Sequence, residues 1–144
     1  MVVYQATCKQ SKKIYIGNTQ QKLKKRIDQH LDDVCHLANK GVASDSFAKH
    51  FAAKCDLEKN TKRKNVQELL TVDILWSGNP ISCMKNFGTP SCALCMKERL
   101  LILKALRKEP DRLINSRDKL YGACRHRSKF HWYTSDATST DEGQ

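Results

Sequence analysis

The strongest constraint on the fold is a change of hydrophobic period at Gly17. Before it, two short apolar runs, Val2 to Ala6 and Lys13 to Ile16, flank the polar turn Thr7 to Lys12. That is the pattern of a β-hairpin. After it, Leu23, Ile27, Leu31, Val34 and Ala38 recur at three- and four-residue steps. They make one apolar stripe of a helix from Leu23 to about Leu37. Gly17-Asn18-Thr19 is expected to break the second strand, with Asn18 or Thr19 capping the helix.

The elements downstream follow from the same periods. Gly41 stops the first helix, and Ser44 or Ser46 starts a second through about Ala53, with Phe47, Ala48 and Phe51 inward. Glu58 to Asn65 reads as a polar loop whose Lys59, Lys62, Arg63 and Lys64 form a candidate phosphate-contacting strip, or simply a solvated one. Leu69 to Trp76 is strand-like and long enough to be central to a small sheet. Ser77 to Ser91, interrupted by Gly78, Pro80, Gly88 and Pro90, reads as a loop. Ala93 to Arg107 is a helix ended by Pro110, and Leu113 to Asn115 and Lys119 to Cys124 are short pieces. The expectation is an α/β (α+β) domain over 1–133, a small three-stranded, mostly antiparallel sheet flanked by helices. A polar tail over 134–144 lacks the apolar residues to fold.

Two helices carry polar residues where a core face should be. Arg26 and His30 lie at the edge of the first helix's apolar stripe. An Arg leaning inward requires an anionic partner, unless it snorkels to water while His30 hydrogen-bonds in the core. Glu98 is the sharper anomaly. At 100° per residue it falls in the middle of the face made by Leu94, Leu101, Ile102 and Ala105, where a carboxylate is either paired with a cation or holding a metal.

Cysteine placement suggests a second site. Cys92-x-x-Cys95 stands at the start of that helix, and Cys124-Arg125-His126 offers two more soft ligands. Four such ligands close a tetrahedral zinc clamp, with Cys83 as a competing fourth. The alternatives are two ordinary thiols or, with no thioredoxin-like context, a redox pair.

Charge narrows the partners. The 26 basic against 15 acidic residues give +11, and +14 remains on Met1 to Tyr133 once the acidic tail is set aside. Clustered Lys and Arg suit nucleic acid, by neutralising phosphates and releasing counterions, although solubility alone explains a modest excess. No stretch approaches a membrane span, and the N-terminus lacks a charged-then-apolar signal pattern. Seven cysteines, an odd number, point to a reducing intracellular compartment.

These residues together resemble the GIY-YIG nuclease family. Val2-Val3-Tyr4 stands where Gly-Ile-Tyr is usual, and Tyr15-Ile16-Gly17 is intact. Arg26 and His30 match the family's Arg-x-x-x-His helix, Glu98 its metal-binding Glu, and Asn115 its late Asn. Cys92-x-Leu-Cys95-x-x-Glu98 with Cys124-Arg125-His126 is further similar to the endonuclease domains of Penelope-like retroelements. The resemblance implies DNA phosphodiester hydrolysis with Mg²⁺ or Mn²⁺ on Glu98, and Arg26 neutralising charge on the phosphoryl group. Tyr4 would orient or deprotonate the attacking water, with Tyr15 and His30 supporting or sharing that role and Asn115 positioning. It also implies a nuclear location for a eukaryotic element, and the abrupt start suggests part of a larger reverse-transcriptase polyprotein. The competing expectation is a zinc-stabilised nucleic-acid-binding module with a degenerate, inactive site.

Overall fold

The computed structural model describes residues 1–40, 46–54, 62–78, 83–86 and 89–121. Three strands form the main sheet in the order β2 (Ile14–Thr19), β1 (Val2–Cys8), β3 (Leu70–Ser77). Both pairings are antiparallel, with Ala6 opposite Tyr15 on one side and Val72 on the other. The β1 register against β3 shifts between Val3 and Tyr4, a bulge that twists this edge.

The strands alternate between two cores. Tyr4, Ala6, Cys8 and Tyr15 face α1 (Leu23–Lys40), α2 (Ser46–Lys54) and α3 (Arg63–Glu68), packing with Leu31, Val34, Phe47, Phe51 and Val66. Val3 and Ile16 face the other way, against Leu94, Cys95 and Ile102 of α4 (Ala93–Lys108). Cover on both of its faces explains why β2 is nearly all buried rather than alternating, whereas β3 is largely exposed. The α/β architecture expected from sequence is therefore present, as are the hairpin, the first helix and the Glu98 helix.

Several expectations need correction. The Leu69–Trp76 strand is not central: β3 lies at the edge and β1 in the middle. Residues 63–65 are the first turn of α3 rather than loop, and Arg63 pairs with Asp32 at 2.5 Å, which commits it to an intramolecular partner. The Ser77–Ser91 segment contains a hairpin, β4 (Cys83–Asn86) with β5 (Thr89–Cys92), Cys83 standing opposite Cys92. Strand β2 also does not break at Gly17 but runs on through Thr19, whose hydroxyl accepts from the Gln21 N–H at 3.1 Å.

Gly17 serves a different purpose from the expected turn. It pairs with Tyr4, and a Cβ placed on it would stand 2.6 Å from the Tyr4 hydroxyl, 2.7 Å from Cζ and 2.9 Å from a Tyr15 ring carbon. Only hydrogen leaves room for two tyrosine rings to close over the strand. Gly17→Ala should therefore lower stability by about 1–3 kcal/mol in urea unfolding, the cost of overpacking a filled site. Unchanged stability would remove this steric account.

Candidate active site

Strand β1 and helix α1 together bring Tyr4 and His30 into contact, their rings edge-on. Tyr4 is fully buried, and its hydroxyl lies 2.7 Å from His30 Nε2. The His30 ring is wedged between Tyr15, 5.5 Å away and edge-on, and Phe47, 4.7 Å away. So the helix-stripe histidine is inside, as a structural role would have it, yet its nitrogen meets a phenol. Arg26, one turn earlier, opposes the effects of burial on Tyr4 through its charge and a hydrogen bond. Its Nη1 also donates to Gln29 at 3.3 Å, while its buried Nε has no hydrogen-bond partner among the described residues. A guanidinium with an orphaned buried donor suits a further anion.

Glu98 stands on the opposite layer of the sheet. It is buried on α4 with Leu94, Cys95 and Ile102, so the periodicity located it correctly. One carboxylate oxygen accepts from Asn18 Nδ2 at 2.6 Å, and the other lies 4.0 Å from Lys119 Nζ. Its charge is felt at Tyr4. Burial is the main reason the Tyr4 pKa is pushed above its ordinary value; Tyr15 adds to the rise, Arg26 opposes it, and Glu98 adds a smaller push. Residues from both faces of the sheet thus converge on β2.

Asn115 holds this edge rather than entering the cluster. Its side-chain oxygen accepts from the Ile16 N–H at 2.8 Å, and its amide donates to the Ile16 carbonyl at 2.7 Å. With Ile114 N–H donating to the Ile14 carbonyl at 2.8 Å, residues 113–115 extend the sheet beside β2. A 3-10 turn, Arg117–Leu120, follows and carries Lys119 over Tyr15.

The residues match a GIY-YIG catalytic domain, whose family model covers residues 1–72 of the chain. The chain belongs to the GIY-YIG family. It is a family of nucleases, which generally use divalent metals and act on DNA, and the three-stranded antiparallel sheet with helices agrees with its α/β fold. No curated protein and no solved structure matches the chain. No described helix is long and apolar enough to cross a membrane.

The donor set fits one hard divalent cation. Among the described residues no three His, Cys, Asp or Glu side chains gather as a metal cage. A single buried carboxylate, oriented by an amide, is the kind of site in which Mg²⁺ keeps most of its waters and relies on substrate oxygens. For zinc, Cys92 and Cys95 are adjacent and buried, the Cys95 N–H donating to Cys92 Sγ at 3.4 Å as a helix cap. Cys124 and His126 lie outside the described residues.

Two polar residues at the site were not singled out from sequence. Asn18 reads as a helix cap in sequence, because the second strand is expected to end at Ile16 rather than at Thr19. Its amide instead reaches Glu98 and, at 4.0 Å, Cys95 Sγ. Lys119 carried no signal, being one basic residue among 26.

Proposed function

We propose that the chain is a metal-dependent DNA endonuclease that nicks its substrate. What supports this reading best is that a Tyr4 hydroxyl lies 2.7 Å from His30 Nε2 on one face of the sheet, while a buried Glu98, held by Asn18 at 2.6 Å, stands on the helix covering the other. Arg26, half-buried beside Tyr4, takes the non-bridging oxygens of the scissile phosphate with its forked guanidinium. Tyr4 removes the proton of the attacking water and passes its own to His30. Tyr15 donates a hydrogen bond to the same phosphate, and Asn115 fixes the strand that carries Tyr15. Glu98 would hold the cation, Mg²⁺ or Mn²⁺, which supplies positive charge near the leaving oxygen when bound.

The experiment is plasmid relaxation by purified protein. Supercoiled DNA should become nicked with Mg²⁺ or Mn²⁺ and stay intact with a chelator. Salt-dependent DNA binding without cleavage on any substrate, in either metal, would instead favour the inactive binding module.

A narrower proposal is the nicking domain of a Penelope-like retroelement within a reverse-transcriptase polyprotein, in the nucleus of a eukaryotic host. It rests on the spacing Cys92-x-Leu-Cys95-x-x-Glu98 followed by Cys124-Arg125-His126. The same spacing supports a structural zinc held by Cys92, Cys95, Cys124 and His126, with Cys83 as the competing ligand across the β4–β5 hairpin. Protein purified without chelators should carry about one zinc per chain by elemental analysis. Cys92→Ser should lower Tm by on the order of 10 °C. A zinc-free protein whose Tm ignores this substitution would end the zinc proposal.

A further inference from the structure

The nuclease reading leaves one cation of the site unassigned. Lys119 Nζ donates to the Tyr15 hydroxyl oxygen at 2.5 Å, lies 4.5 Å from the centre of the Tyr15 ring, and stands 4.0 Å from Glu98 Oε1. It is also held there. Asn115 clamps Ile16 from both sides, and the 3-10 turn that follows returns the chain over the neighbouring residue, Tyr15. The Lys119 side chain retains 30% exposure, so the ammonium is neither a core charge nor a loose surface group.

We propose that Lys119 is a positioning residue that fixes Tyr15 as a hydrogen-bond donor to the scissile phosphate. The proposal rests on the nuclease reading, in which Tyr15 donates to the phosphate, and adds the residue that fixes that polarity. An ammonium has three donors and no acceptor. Facing it, the Tyr15 oxygen accepts, and the Tyr15 O–H is aimed away from Lys119. The positive charge also draws electron density from the phenol oxygen, which makes its O–H a stronger donor toward an oxygen gaining charge in the transition state. With its oxygen committed to Lys119 in this way, Tyr15 acts through its O–H as a donor, and the base is left to Tyr4 and His30. The nearby Glu98 carboxylate keeps the ammonium from drifting to solvent, and the ring beneath it adds a cation–π contact.

The role is separable from simple DNA attraction. Lys119→Met, close in length and uncharged, should lower kcat by about 10- to 100-fold, the worth of one charge-assisted hydrogen bond made in the transition state. KM for DNA should stay within about twofold, and the salt slope of binding should not change, because Lys119 acts through Tyr15 rather than on a phosphate. Lys119→Arg, also donor-only, should recover most of the loss. In a Tyr15→Phe background, Lys119→Met should cost nothing more. Circular dichroism and Tm identify any variant that fails to fold, and Lys119→Gln then replaces Lys119→Met. Full activity in the neutral variants, an equal further loss in the Tyr15→Phe background, or an effect confined to KM and the salt slope overturns the proposal while the nuclease reading stands. A wild type that cleaves no DNA overturns both.

Discussion

Glu98→Gln should abolish metal-dependent nicking, by about 10³-fold or more, in a protein that is at least as stable as the wild type. The two halves of this result have one cause. Glu98 is buried on the apolar side of α4 between Leu94 and Ile102, where a carboxylate is costly to desolvate. Gln has the same shape, and its carbonyl can still accept from Asn18, which reaches the native carboxylate at 2.6 Å. What disappears is the negative charge, and with it the affinity for a cation whose electrostatic contribution is several kcal/mol of barrier. Titration with Mn²⁺ should show binding lost in step with cleavage, while the thermal midpoint is unchanged or raised. Wild-type cleavage by the variant would sink the assignment of Glu98 to the metal. A large fall in Tm would make Glu98 a structural ion-pair partner instead.

Glu98 also shows which parts of the site could be read before the fold was known. A carboxylate out of phase with a helix's apolar period is a local signal, so one turn of sequence located it. The hairpin and α1 are equally local. The order of the strands is not: β3 is an edge because β1 pairs on both sides, and that decision depends on contacts some seventy residues apart. The β4–β5 hairpin was hidden because glycine and proline punctuate it, although its register is regular. Gly17 misled in the opposite sense. Its sequence context predicts a strand end, whereas its missing side chain is the seat of the Tyr4 ring and the strand continues through it. That error cost Asn18, whose place on β2 beside α4 turns a supposed cap into the partner of Glu98. Lys119 had no pattern to betray it, since its meaning comes only from the Asn115 clamp that returns the chain to Tyr15.

The second large effect concerns the proton. Tyr4→Phe and His30→Gln should each slow single-turnover nicking by about 10²- to 10⁴-fold, the range for loss of a general base. The double variant should be little slower than the worse single one. The reason is the environment of the phenol. Burial, with smaller contributions from Tyr15 and Glu98, pushes the Tyr4 pKa above its ordinary value, and Arg26 only partly offsets this. Tyr4 is therefore a neutral phenol at working pH and cannot wait as a phenolate for water to arrive. It can take a proton only as it gives one up, and the acceptor in reach is His30 Nε2 at 2.7 Å, in the tautomer that carries hydrogen on Nδ1. Two groups that move one proton form a single device, so removing either removes nearly the whole benefit. Phe at position 4 keeps the ring that sits over Gly17, so its loss of rate cannot be ascribed to an unfilled core. Rate losses that multiply in the double variant would mean that Tyr4 and His30 act independently, with His30 serving only as the aromatic neighbour of Tyr15 and Phe47.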